Sequence, residues 1–214
     1  PDSSQLLYVT KPLSGKAYAT STNTDIFAYD LASGSVKNLT ESNKGYDVNP
    51  KFSPDGNFLT WQSMERDGYD ADKNEVKIMD WKSGKMTNLT KDWDESVTGS
   101  VFWSQDSKMI YFNTAFRGTT QLFSLNPKTS KIAQITKGDF DVTDIFADQK
   151  NSLLVTRTDM NHSADLFSVD LKNGAMKQVT EVNKENYSRI TPSKTELKMV
   201  KTTDGKEMGV WFIY

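Results

Sequence analysis

Asp30-Leu31-Ala32-Ser33-Gly34-Ser35-Val36-Lys37-Asn38-Leu39-Thr40 is the stretch on which the reading of this chain turns. It returns as Asp80-Trp81-Lys82-Ser83-Gly84-Lys85-Met86-Thr87-Asn88-Leu89-Thr90 and as Asn126-Pro127-Lys128-Thr129-Ser130-Lys131-Ile132-Ala133-Gln134-Ile135-Thr136. A fourth copy runs Asp170-Leu171-Lys172-Asn173-Gly174-Ala175-Met176-Lys177-Gln178-Val179-Thr180. The closing threonines stand 50, 46 and 44 residues apart, and the spacing inside each copy is identical. Asp or Asn at the head has a short side chain suited to bonding the backbone of a turn. Four positions on, Gly or another small residue suits a left-handed conformation. Each copy therefore reads as a β-hairpin. Each is entered by an apolar strand: Ile26–Tyr29, Val76–Met79, Leu122–Leu125 and Leu166–Val169.

A second turn recurs between the hairpins: Phe52-Ser53-Pro54-Asp55-Gly56, Trp103-Ser104-Gln105-Asp106-Ser107 and Phe146-Ala147-Asp148-Gln149-Lys150. Pro1–Ser4 fits the same slot, and Thr191-Pro192-Ser193-Lys194 is a candidate fifth. Pro presets φ and Asp-Gly closes a tight turn. Each of the first three is followed by an apolar strand, as is Pro1–Ser4. Four strands with two recurring turns per period predict an all-β chain, a β-propeller fragment of about four four-stranded blades. A solenoid or an ordinary sandwich is the alternative. A small closed four-blade ring and an excised part of a larger ring both fit the count.

Composition excludes several functions. Lys and Arg number 26 against 28 Asp and Glu, so no basic surface calls for nucleic acid. There is no cysteine, hence no disulfide and no thiolate metal site. The longest apolar runs, such as Met208–Tyr214, are far shorter than the ~20 residues of a membrane helix. A Ser-His-Asp triad needs a histidine to move the proton. His162 is the single histidine and is expected in a polar loop before the strand Leu166–Val169. No Gly-x-Ser-x-Gly is present. No catalytic residue, metal or cofactor is therefore expected in this chain. Asp70-x-Asp72-x-Asn74 matches the start of a calcium loop, but Glu75 stands where Gly is needed and Trp81 where a bidentate Glu is needed. Asn38-Leu39-Thr40 and Asn88-Leu89-Thr90 are formal glycosylation sequons that their repetition explains as blade structure.

The Ser-Pro-Asp-Gly turn, the Asp-x-x-x-Gly hairpin and the closing Leu-Thr resemble the repeats of TolB-like proteins and of prolyl oligopeptidase-type serine peptidases. Two stretches sharpen the likeness. Met64-Glu65-Arg66-Asp67-Gly68-Tyr69-Asp70-Ala71-Asp72-Lys73 is similar to an inter-strand loop of the dipeptidyl-peptidase V and acylaminoacyl-peptidase branch. Val200–Tyr214 resembles the linker and first strand leading into an α/β-hydrolase domain. The resemblance implies propeller blades over 1–200 and, over 201–214, the entry to an absent hydrolase domain of the same polypeptide. Further blades would precede Pro1, and the triad would lie beyond Tyr214. The family's substrates are short peptides, from which it releases dipeptides or acyl-aminoacyl residues. This chain would be the non-catalytic gate. Family habit places the protein in the periplasm, with the cytoplasm as the alternative. The competing reading is a TolB-like scaffold that binds a protein partner and has no activity.

Glu65, Arg66, Asp67 and Tyr69 are the candidate substrate-binding residues. Arg66 suits a peptide carboxylate or carbonyl, Glu65 or Asp67 a substrate ammonium, and Tyr69 an apolar side chain. The competing reading makes the insert a brace between blades, with Arg66 bonded to a neighbouring carboxylate. Arg117-Gly118-Thr119 and Arg157 with Asp159 occupy the equivalent loops of later blades. Trp61, Trp103, Phe112, Phe123 and Phe167 are expected in the core. The apolar run Met208–Tyr214 wants burial on both faces, so this end is expected to be poorly packed.

Overall fold

The computed structural model describes residues 4–149 and 151–214. The chain is all-β, with five antiparallel sheets formed in sequence order. The first holds β1 (Gln5–Thr10), β2 (Asp25–Asp30) and β3 (Val36–Asn38), with a short helix α1 (Gly15–Thr20) between β1 and β2. The second is four-stranded: β4 (Asp47–Phe52), β5 (Phe58–Ser63), β6 (Glu75–Asp80) and β7 (Met86–Asn88). The third holds β8 (Phe102–Trp103), β9 (Ile110–Phe116), β10 (Thr119–Leu125) and β11 (Ile132–Gln134). The fourth holds β12 (Asp141–Gln149), β13 (Ser152–Asp159), β14 (His162–Asp170) and β15 (Met176–Gln178). After a helical turn α2 (Lys184–Tyr187), β16 (Thr195–Lys201) and β17 (Glu207–Ile213) pair as a hairpin. The first four sheets are meanders, the form of a propeller blade. Neither helical segment was anticipated by the sequence pattern; both are shorter than two turns and lie in connections.

The hairpin turns form as the repeat requires. In each copy the head residue donates its N–H to the residue five positions on, and its C=O accepts from the fourth: Asp30 with Ser35 and Gly34, Asp80 with Lys85 and Gly84, Asn126 with Lys131 and Ser130, Asp170 with Ala175 and Gly174. The fourth residue is left-handed each time, with φ of +71°, +70°, +56° and +72°. The second turn repeats as closely in its first two copies. Ser53 Oγ donates to Asp55 Oδ1 at 2.6 Å and Ser104 Oγ to Asp106 Oδ1 at 2.8 Å. The third copy departs from expectation. β12 runs on through Gln149 and pairs it with Ser152, so the chain reverses later than Phe146–Lys150 implied. Ala147 stands where the first two copies carry the bridging serine, and so offers no hydroxyl to hold the turn. Lys150, like Pro1–Ser3 of the opening turn, lies outside the described residues.

Two compact units make up the chain: Pro1–Val97 with Trp103–Ile110 and Asn126–Lys131, and Thr98–Phe102 with Tyr111–Leu125 and Ile132–Tyr214. In the first, Ile26, Ala28, Leu39, Leu59, Trp61 and Met79 form one buried cluster. Trp61 sends its indole N–H to Asp47 Oδ1 at 2.8 Å, and burial pushes that carboxyl up. Trp103 donates to Thr60 Oγ1 at 2.9 Å. In the second, Phe112 and Phe123 stack at 5.8 Å, and Leu122, Leu125, Leu153, Val155 and Val169 are buried. Trp61, Trp103, Phe112 and Phe123 are core residues as expected. Phe167 is not: it is half-buried and borders a cavity, with the Arg157 guanidinium rather than an apolar side chain lying over its ring at 5.0 Å.

Gly84 and Gly174 offer a matched test of the hairpin. Both are left-handed, a state that costs a residue with Cβ about 1–2 kcal/mol. A Cβ at Gly84 meets nothing within 4 Å, whereas one at Gly174 would stand 2.0 Å from the Ile135 carbonyl oxygen. Gly84→Ala should lower stability by about that conformational cost, and Gly174→Ala by clearly more, measured as the shift in urea midpoint. Equal shifts would rule out the close approach.

Candidate functional site

The insert between β5 and β6 is polar and exposed, and its charges face one another. Arg66 Nε donates to Asp72 Oδ1 at 2.9 Å and Oδ2 at 3.0 Å, and Nη2 joins the same carboxylate. The Arg66 backbone N–H adds a bond to Asp72 Oδ2 at 3.0 Å, closing the loop on itself. The guanidinium carbon lies 4.1 Å over the Tyr69 ring, a cation–π contact. Hydrogen bonding from Arg66 holds Asp72 below the usual carboxylate range.

Asp67 points the other way, onto the connection after α1. Its Oδ1 accepts from Ser21 Oγ and Thr22 N–H, each at 2.7 Å, and from Asn23 N–H at 3.2 Å. Gly68 N–H returns a bond to Thr22 Oγ1 at 2.8 Å. These donors, the Ser21 hydroxyl first, hold the Asp67 carboxyl below its ordinary value. Two of the four expected binding residues thus fasten the loop: Arg66 to Asp72, and Asp67 to the neighbouring sheet. Glu65 and Tyr69 are exposed, Tyr69 with the Arg66 guanidinium over one face of its ring. Asp72 and Asn74 do not converge: Asn74 is buried with Nδ2 on the Val97 carbonyl at 2.8 Å.

The equivalent loop of the third sheet is a two-residue turn. Trp211 Nε1 reaches the Gly118 carbonyl at 3.3 Å, so this turn touches the C-terminal hairpin. Among Thr195–Tyr214 no residue is buried, and Met208, Phe212, Ile213 and Tyr214 are exposed. The poor packing expected of this end is observed.

The fourth sheet carries a cavity of about 320 Å³ at the end where β13 passes into β14. Arg157, Asp159, His162, Ser163, Phe167 and Tyr187 line it, among others. The sequence pattern found Arg157 and Asp159 but not the rest. His162 was expected in a loop; it opens β14 instead, in register with Asp159, because the turn takes only two residues. Its Nδ1 meets Asp159 Oδ1 at 2.8 Å, and its ring stands edge-on to Tyr187 at 5.0 Å. Tyr187 Oη accepts the Ser163 N–H and meets Ser163 Oγ, both at 2.7 Å. Tyr187 comes from α2, in a connection without repeat character, so no spacing signal pointed to it. The three-histidine or mixed-acid clusters that hold metals are absent among the described residues.

Residues 1–211 match the family described as TolB beta propeller domain. Dipeptidyl-peptidase 5 of Porphyromonas gingivalis is 40% identical over 213 residues, covering 100% of this chain and 31% of that protein. The acylaminoacyl peptidase of Pyrococcus horikoshii superposes with a TM-score of 0.73 at 17% identity, over 98% of this chain and 31% of that one. TolB from Acinetobacter baumannii does so with 0.61 at 14%, over 99% and 52%. At such identities the two structures establish the fold alone. The chain spans about a third of the length of the curated relatives it matches most fully.

The Asp67 brace titrates. Its folded pKa is depressed, so its contribution is present above the unfolded value of about 3.9 and is lost as pH falls through the folded value. Asp67→Ala should speed hydrogen exchange at the Thr22 and Asn23 amides at neutral pH. In the unaltered chain the same amides should lose protection only below about pH 4. Unchanged exchange in the variant would remove the brace.

Proposed function

Because this chain belongs to the TolB β-propeller domain family, we propose that it is the propeller domain of a serine exopeptidase acting on short peptides. The observation that carries the reading is the 40% identity to dipeptidyl-peptidase 5 along the whole chain. In this reading the nucleophile, its histidine and the oxyanion donors lie in an α/β-hydrolase domain of the same polypeptide. There the serine attacks the scissile carbonyl, the histidine takes its proton, and backbone amides hold the oxyanion. The propeller limits entry to short, unfolded substrates. Residues 1–200 are its blades, and 201–214 lead toward the catalytic domain. The exposed apolar side chains of the β16–β17 hairpin support that connection, since burying them needs a partner surface. The insert is a stiffened rim: Arg66 and Asp67 hold its shape, and Glu65 and Tyr69 are the groups it presents to a peptide. The periplasm is the compartment this reading assigns.

A fluorophosphonate probe, which labels activated serines, tests it on the full-length protein with this chain as control. Labelling of the long protein and not of the chain is expected. A folded long protein that stays unlabelled would overturn the peptidase reading and leave a TolB-like protein-binding scaffold.

A further inference from the structure

A half-buried guanidinium that donates no hydrogen bond needs an explanation. Arg157 is such a group among the described residues. Its side chain is 29% exposed, and its nearest carboxylate oxygen, Asp159 Oδ2, stands 3.8 Å from Nη2, beyond hydrogen-bond reach. Its guanidinium carbon lies 4.2 Å over the Phe140 ring and 5.0 Å over the Phe167 ring. Two aromatic contacts hold the planar group in place without using its N–H donors. The side chain is therefore fixed before any ligand arrives, which reduces the entropy lost on binding.

The acids around the cavity are already engaged. Asp159 Oδ1 takes His162 Nδ1 and the Asn161 N–H at 2.8 and 2.9 Å. Asp165 Oδ1 accepts from Thr180 Oγ1 at 2.6 Å and Val182 N–H at 3.2 Å. Glu181 Oε2 meets Lys184 Nζ at 2.5 Å. What the cavity has to spare is donors, on a planar cation, beside the aromatic faces of Phe167 and Tyr187. A carboxylate attached to an apolar body matches both halves. Its two oxygens fit the guanidinium fork, and its body fits the rings. A volume of about 320 Å³ is at the small end of ligand sites and suits one or two amino-acid residues.

We infer that the cavity at the β13–β14 end of the fourth sheet binds a carboxylate through Arg157, that of the C-terminal residue of a short peptide with an apolar last side chain. The site is built by this chain alone and stands whether or not a catalytic domain follows.

Isothermal titration calorimetry on the full chain tests it, at low salt and after fluorophosphonate treatment so that no peptide is consumed. Gly-Gly-Phe should bind, and Gly-Gly-Phe amide should bind about tenfold or more weaker. Arg157→Lys keeps the charge but loses the fork, and should weaken Gly-Gly-Phe by a similar factor with the thermal midpoint kept. The His162 ring resonances, assigned by their loss in His162→Gln, report the same contact. They should move on adding Gly-Gly-Phe and move less with the amide at the same concentration. N-acetyl-glutamate amide binding as well as Gly-Gly-Phe would keep the carboxylate site and assign its source to acidic side chains. The inference is overturned if the amide binds as tightly as the acid, or if His162 is unmoved by saturating Gly-Gly-Phe. Unaltered binding by folded Arg157→Lys would overturn it as well.

Discussion

Each of the four repeated hairpins closes on one threonine hydroxyl. The outer strands β3, β7, β11 and β15 are three residues long, too short for their ladders alone to hold them. At the far end of each ladder a backbone N–H on the inner strand would be left over. It is taken by a threonine 14 residues on: Ile26 by Thr40, Val76 by Thr90, Leu122 by Thr136 and Leu166 by Thr180, at 2.9 to 3.0 Å. The partnering carbonyl of the same inner residue accepts from Leu39, Leu89, Ile135 or Val179. Thr40, Thr90 and Thr136 are buried, so an unpaired N–H there would cost about 1–3 kcal/mol. The latch is why the repeat ends in threonine.

The residue before each latched N–H extends the network. Asn38 Nδ2 bonds Asp25 Oδ2 at 2.7 Å, and Asn88 Nδ2 bonds Glu75 Oε2 at 2.6 Å. Their Oδ1 atoms accept from the Thr40 and Thr90 amides. The two formal sequons are thus accounted for by hydrogen bonds inside the blade. In the fourth sheet the same position is Asp165, held by Thr180 below the usual carboxylate range. There the residue held by the latch also forms part of the cavity wall.

The insert and the cavity use charge differently. In the insert, Arg66 and Asp72 satisfy each other and Asp67 satisfies backbone amides, so most of its charge shapes the loop. An ion pair with one exposed partner, here Arg66, is screened by solvent and adds modest stability by itself; its effect is to fix the shape of the loop that carries Glu65 and Tyr69. In the cavity each acid accepts a hydrogen bond from a neighbouring group, whereas Arg157 makes a 3.8 Å ion pair with Asp159 and donates no hydrogen bond.

The blades, both recurring turns and four of the five expected core aromatics were legible in the sequence. Hairpin geometry is local, and the left-handed residue, the Asx head and the strand periodicity all act within a dozen positions. The third turn was misplaced because Ala147 cannot make the Ser–Asp bridge that defines the motif, and the bulged β12 runs on. The insert was legible as a polar loop, but which of its side chains the loop uses to hold its own shape was not. That depends on Asp67 meeting Ser21 and Thr22, more than forty residues earlier in the chain. The cavity was half visible. Arg157 and Asp159 follow the repeat, and His162 is placed by the two-residue turn between β13 and β14, whereas Tyr187 arrives on α2. The sequence by itself determined the strands and turns, because their causes are near neighbours. Only the tertiary structure decided which charges are satisfied, because hydrogen bonds between distant segments form only once the sheets are stacked.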